Sequence, residues 1–161
     1  MHLPLQIPEK GVGDWFMYYV CPACSMTLRF DRCKPNVHRC PGCKKVYTGK
    51  PYDGAWWGQV NKANSDAAWR LALLWQLDGD TAAAQRAMEL LLGYARCYPD
   101  YAPHGNIPYN GPGRANAQTL DESIFLRGLA RAADLLEDLL TGEQKAFLCK
   151  NLWRPGIPWP G

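Results

Sequence analysis

Two CxxC turns, Cys21-Pro-Ala-Cys24 and Cys40-Pro-Gly-Cys43, stand fifteen residues apart and constrain this chain more than any other feature. Each turn aims two thiolates at one point, and two turns complete a tetrahedral sulfur set that Zn²⁺ accepts without redox change. The spacing is that of a zinc ribbon and assigns Cys21, Cys24, Cys40 and Cys43 as metal ligands. Four cysteines close the coordination shell, so the zinc is expected to be structural and to leave no position open for catalysis. A ribbon of about forty residues buries too little apolar surface to fold unaided, and metal binding then supplies folding free energy. Cys33 and His38 lie between the knuckles and could substitute for one ligand, but their spacing fits no better, and His38 reads as a surface or packing residue. Cys97 and Cys149 fall in helical patterns and read as small buried hydrophobes.

A disulfide scaffold would need an oxidising compartment, and residues Met1 to Lys10 show no apolar secretory core. If Met1 is the true start, a cytoplasmic location is expected; a complete homologue could be secreted or periplasmic. No apolar run approaches the roughly 18 residues of a membrane span, so no membrane partner is expected. The 47% apolar content is that of a globular chain. Eight lysines and arginines face four acids in residues 1–61, whereas the rest of the chain carries one acid in excess. A cationic ribbon can meet nucleic acid, an anionic sugar or water, and so small a surplus disfavours nucleic acid.

The expected order is an extended segment at 1–20, a zinc ribbon at 21–50, and a helical region at 51–161. Thr27-Leu28-Arg29-Phe30 alternates like a short strand, and Lys45-Val46-Tyr47 reads as its partner. From Asn64 the spacing changes to that of a helix, with Ala68, Leu71, Leu74, Trp75 and Leu77 on its apolar side and Gly79 as its stop. Asp80 caps a second helix that Pro99 ends, and the short connection predicts an αα-hairpin. Thr119-Leu-Asp-Glu122 has the form of a capping box for a third helix reaching about Leu140. Thr141-Gly-Glu-Gln144 has the same form and opens a fourth, which runs to about Trp153 before Pro155. The fold class is therefore mainly α: αα-hairpins of a partial α/α toroid, preceded by a small zinc-ribbon β element.

Between the second and third helices, Tyr98 to Gln118 concentrates Tyr, His, Asn, Arg and Gln. Amides, guanidinium forks and aromatic faces recognise the hydroxyls and carboxylates of an acidic carbohydrate. The plainer account is that Asn and Gly serve turns, Arg114 pairs with a helix acid and His104 bonds to backbone. Asp121 and Glu122 are adjacent carboxylates, but helix capping accounts for both, and no catalytic residue is assigned.

The stretches Tyr47-Thr-Gly-Lys-Pro-Tyr-Asp-Gly-Ala-Trp56, Leu91-Leu-Gly-Tyr-Ala-Arg-Cys-Tyr-Pro99 and Gly113-Arg-Ala-Asn-Ala-Gln-Thr-Leu-Asp-Glu-Ser123 carry a family resemblance. Over about residues 15 to 153 the chain resembles the N-terminal part of heparinase II/III-like polysaccharide lyases, relatives of the alginate lyases, and its CxxC pairs resemble a zinc-binding insert of that group. The resemblance implies an α/α toroid followed in complete enzymes by a β-sandwich, acting on uronic-acid polysaccharides by β-elimination. It places Tyr109, Arg114, Asn116 and Gln118 at the border of a substrate groove. The family's catalytic Asn-His pair has no counterpart here, so this chain is expected to be an N-terminal fragment, inactive alone, with an acidic polysaccharide or the rest of the toroid as partner. The competing expectation is a zinc-ribbon module that binds a protein or nucleic acid through Arg29, Arg32, Lys44 and Lys45. A dithiol oxidoreductase is a third, excluded if the thiols hold a metal.

Overall fold

Gly79 and Asp80 divide a long helical stretch in two. In the computed structural model, which describes residues 6–105 and 110–156, Gly79 adopts φ 68° and its N–H bonds to Trp75 O, while the Asp80 carboxylate accepts from the Ala83 N–H. A left-handed glycine ends one helix and an aspartate caps the next. The helices are α1 (Tyr52–Asp78), α2 (Thr81–Cys97), α3 (Thr119–Leu135) and α4 (Gly142–Leu148). After α4 the chain widens into a π-turn at Cys149–Trp153 and ends in a short α5 (Arg154–Gly156). Pro155 therefore lies within helical structure. The N–H of Arg154 reaches back to Cys149 O, the wider register just ahead of a residue that has no N–H to donate.

α1 differs most from the sequence expectation. It starts at Tyr52 and not at Asn64, and its buried side includes Ala55, Trp56, Asn61, Asn64, Ser65 and Ala68. Leu74 and Leu77, expected on the apolar face, are exposed. The reason is close helix approach. A Cβ on Gly128 of α3 would fall 2.1 Å from Ser65 Oγ, and that hydroxyl donates to Phe125 O at 2.6 Å. Only small residues permit such contact, so α1 buries small and polar side chains against α3.

α2 and α3 bury faces whose apolar residues recur at helical spacing. Leu91, Tyr94 and Tyr98 meet Phe125, Leu129 and Leu136, with Leu148 and Leu152 closing the far side. Each such side chain, fully buried, contributes about 2 kcal/mol. Cys97 packs partly against this core, whereas Cys149 is exposed, contrary to its reading as a buried hydrophobe. A second, smaller cluster gathers Tyr19, Cys21, Leu28 and Cys40 against Ala55, Trp56 and Val60 at the start of α1.

The only regular strands among the described residues are β1 (His38–Arg39) and β2 (Val46–Tyr47), an antiparallel pair with His38 opposite Tyr47. Val46-Tyr47 thus pairs with His38-Arg39, and Thr27–Phe30 contributes only single bridges, Val20 to Thr27 and Arg29 to Arg39. The second CxxC turn lies between the two paired strands, a local hairpin that alternation alone does not single out. Among the described residues no helix is long and apolar enough to cross a membrane.

Candidate metal centre and adjoining cleft

The two hairpins bring the four expected cysteines together. The sulfurs of Cys21, Cys24, Cys40 and Cys43 all lie within 4.8 Å of one another, with Cys21 to Cys43 at 3.5 Å and Cys24 to Cys40 at 3.4 Å. A tetrahedral zinc with bonds of about 2.3 Å needs sulfurs about 3.8 Å apart, so the donor set fits. All four thiols are free, and Cys33 is exposed and outside the cluster.

Burial and hydrogen bonding act differently on three of these thiols. Cys21 is buried, which opposes charge, yet bonds from the Tyr47 hydroxyl, the Ala23 backbone and the neighbouring thiols bring it down to about 6. Cys40 is lowered against the same burial by the Cys43 backbone and the Cys24 thiol. Cys43 is helped by the Lys45 backbone, yet burial and the three other sulfurs push it up to about 11. Negative charge on one sulfur disfavours it on the next, and a cation at the centre of the cluster would offset that repulsion. Tyr47 Oη lies 3.1 Å from Cys21 Sγ, an outer donor that the cysteine spacing could not reveal.

His38 is fully buried beside this centre and is no ligand. Its Nδ1 lies 2.8 Å from Tyr19 Oη and its Nε2 2.8 Å from Asp53 Oδ1, which ties the ribbon to the first turn of α1. Burial, with Asp31 and Asp53 nearby, raises the Tyr19 phenol to about 12. Trp56 Nε1 donates to Asp31 O at 2.9 Å as a further tie. Arg32, one of the four cations expected to face a partner, turns inward to Asn64 Oδ1 and Gln6 Oε1.

The loop ahead of α3 is organised by Glu122. Its carboxylate accepts from the Ala115 N–H at 3.1 Å, the Asn116 N–H at 2.9 Å and the Tyr98 hydroxyl. Thr119-Leu-Asp-Glu122 is therefore no capping box. Gln118 occupies the cap position, Thr119 donates to Pro112 O, and Glu122 reaches past the helix end to hold the loop. The box at Thr141 and Gln144 is formed in both halves. In the same loop Arg114 donates to Tyr101 O at 2.8 Å, where a helix acid was expected, and His104 meets Gly13 O and Ala102 O. Gln118 is buried and donates to Asp121 at 2.7 Å. Tyr109 lies outside the described residues.

A cleft of about 350 Å³ opens between these parts, and of the expected groove residues Asn116 lines it. One wall is Asp14, Phe16, Tyr19 and Thr27; the other is Asp121, Ile124 and Phe125 of α3, with Gly58, Gln59 and Lys62 of α1 between them. The chain approaches α1 closely here, since a Cβ on Gly58 would lie 2.5 Å from Asp14 O. Gln59 Nε2 is buried with no hydrogen-bond partner, a donor that lacks an acceptor. Phe16 is the exposed aromatic ring of this lining, the Asp14 and Asp121 carboxylates share it with Lys62, and the Lys62 ammonium pairs with Asp66 Oδ2 at 3.2 Å.

No family model matches the chain. Residue-level similarity connects it to characterised proteins all the same. It is 30% identical over 160 residues, 96% of its length, to an exo-oligoalginate lyase of Saccharophagus degradans. It is 32% identical over 97 residues, 60% of its length, to an alginate lyase of Stenotrophomonas maltophilia. The matched regions are 21% and 13% of those proteins, so the chain spans about a fifth of their length or less. These similarities support a distant relationship to polysaccharide lyases.

Proposed function

We propose that this chain is the N-terminal portion of a polysaccharide lyase of the heparinase II/III-like kind, built as the first hairpins of an α/α toroid and braced by a structural zinc ribbon. The observation that carries this reading is the similarity to an exo-oligoalginate lyase along 96% of the chain. The cysteine cluster supports the zinc: four thiolates match its preferred donors, and a closed shell suits bracing more than catalysis. The cleft supports an acidic sugar ligand. A uronate ring laid over the exposed Phe16 would offer oxygen acceptors to Gln59 Nε2, and its carboxylate would compete with Asp66 for the Lys62 ammonium.

In β-elimination a base removes the proton at C5 while the uronate carboxylate is neutralised, and an acid assists the departing glycosidic oxygen. Residues of this cleft bind and orient; none is placed to carry out both proton transfers. Asp121 is held by Gln118, and Tyr19 Oη is committed to His38. The chain alone is therefore expected to bind oligo-uronates without cleaving them.

Titration with alginate trisaccharide, followed by calorimetry at low salt, tests this. Binding that weakens with salt and with Lys62→Ala or Phe16→Ala, without growth of the unsaturated-product absorbance, supports the reading. Absence of binding at low salt overturns the glycan site, and product formation overturns the claim of inactivity. Metal analysis is expected to give about one zinc per chain, lost on Cys24→Ser, since a structural site uses four ligands.

A further inference from the structure

The cleft's two walls belong to different hydrophobic clusters. Phe125 is part of the main helical core with Tyr94, Leu91 and Leu129. Tyr19 belongs to the small cluster, whose seven buried residues include Cys21 and Cys40, two of the four metal-site cysteines. The connection is also direct along the chain. Tyr19 and Thr27 line the cleft, and the residues between them form the first knuckle, with Cys21 and Cys24 on it. Val20 bridges to Thr27, Leu28 N–H donates to Tyr19 O at 3.0 Å, and Cys21 N–H to Met26 O at 2.8 Å. Residues 22–27 are all exposed, with Met26 against Gly42, whereas Tyr19, Cys21 and Leu28 at the base are buried, so packing holds the tip of this hairpin much less than its base. On the sulfur side, Cys21 to Cys43 and Cys24 to Cys40 are what join the first hairpin to the second.

We propose that metal binding by the four cysteines fixes the Tyr19–Thr27 wall of the cleft, so that metal and cleft ligand are thermodynamically linked. The ligand named here, an oligo-uronate, rests on the proposed function; the control of the wall by metal does not. Without the ion, the first hairpin keeps its backbone bonds, the Arg29–Arg39 bridge and the Cys21–Tyr47 contact at its base, but its tip loses the sulfur tie to the second knuckle. Tyr19 then retains its bond to His38, while Thr27 and the hairpin tip can move away from Phe125. A cleft with one wall displaced binds its ligand less well, and reciprocity requires the ligand to tighten metal binding by the same factor.

The test uses the full chain labelled with 4-fluorophenylalanine at its four phenylalanines, Phe16, Phe30, Phe125 and Phe147, each resonance assigned by substitution with leucine. Fluorine spectra and alginate trisaccharide affinity are measured with zinc bound and after removal by a chelator. The expected result is movement of the Phe16 and Phe125 resonances with Phe147, in the helical core, unchanged, and a loss of trisaccharide affinity of about tenfold, in the usual range of site-to-site coupling. Cys24→Ser, whose side chain is exposed, should reproduce the metal-free spectrum. If Phe16 and Phe125 stay in place on metal removal, or if Phe147 and the helical circular dichroism collapse with them, the proposal is overturned. Equal affinity of the two forms overturns the linkage. If the trisaccharide binds neither form while Phe16 and Phe125 respond to zinc and Phe147 does not, the control of the wall stands and the glycan reading falls.

Discussion

Replacing Glu122 tests whether one buried carboxylate organises the loop ahead of α3. The side chain is 6% exposed and accepts from the Ala115 N–H, the Asn116 N–H and the Tyr98 hydroxyl. Glu122→Ala leaves these three donors buried without an acceptor. At about 1–3 kcal/mol for each unsatisfied group, less the desolvation that the carboxylate no longer suffers, the expected loss is about 4 kcal/mol. Glu122→Gln keeps one acceptor oxygen and most of the shape, and should cost about 2 kcal/mol. With a urea m-value of about 2 kcal/mol/M, the midpoint falls by about 2 M for alanine and about 1 M for glutamine. Urea denaturation followed by far-ultraviolet circular dichroism measures both. Tyr98→Phe combined with Glu122→Gln should cost less than the sum of the single changes, because the two groups share one bond. An alanine variant within about 1 kcal/mol of the parent, which is what loss of an ordinary helix cap costs, would refute this account. Thr119→Ala supplies the contrast: in a capping box it would cost as much as an ordinary cap, whereas an exposed threonine bonded to Pro112 O should cost much less.

Gly128→Ala should destabilise by about 1–3 kcal/mol although alanine is the better helix former by about 1 kcal/mol, because the new Cβ meets Ser65 at the α1–α3 contact. Thermal denaturation reads the sign, and a stabilised variant would show that the helices are not held so close. Alkaline titration tests the buried phenols. Tyr19, Tyr47, Tyr94, Tyr98 and Tyr101 are all raised above the ordinary value of 10.0; burial is the leading cause except at Tyr47, where the bond to Cys21 leads. A raised folded-state value contributes stability that is complete below pH 10 and is lost as the pH rises through the folded value, so for Tyr19 the window is pH 10 to about 12. Tyrosinate absorbance should therefore lag behind that of the urea-unfolded chain and then rise with unfolding; coincident titrations would contradict the burial of these rings.

Much of the local structure is legible in the chain. Gly79 and Asp80 mark the α1–α2 junction, the Thr141–Gln144 box opens α4, and the apolar spacing of α2 and α3 identifies their buried faces. In each case the deciding interactions lie within a few residues, where spacing is informative. The errors fall where partners are distant in sequence. α1 buries Asn61, Asn64 and Ser65 because Tyr94, Ala115 O and Phe125 O receive them, and no period in α1 announces those groups. Glu122 has the position of a capping acid, yet the loop in front of it offers more donors than the helix end does.

The same division holds for the candidate site. Four cysteines at CxxC spacing determine a sulfur cluster from sequence alone, because thiols on two tight turns have few other ways to be satisfied. The cleft was decided by the tertiary structure. Phe16, Tyr19, Gln59, Lys62, Asn116 and Phe125 come from four separate stretches and share no pattern; of these only Asn116 is expected at a groove, through family resemblance. Covalent spacing fixes which ligands can converge on one ion, whereas a cavity is what remains after helices and hairpins have packed, and its lining depends on every contact between them.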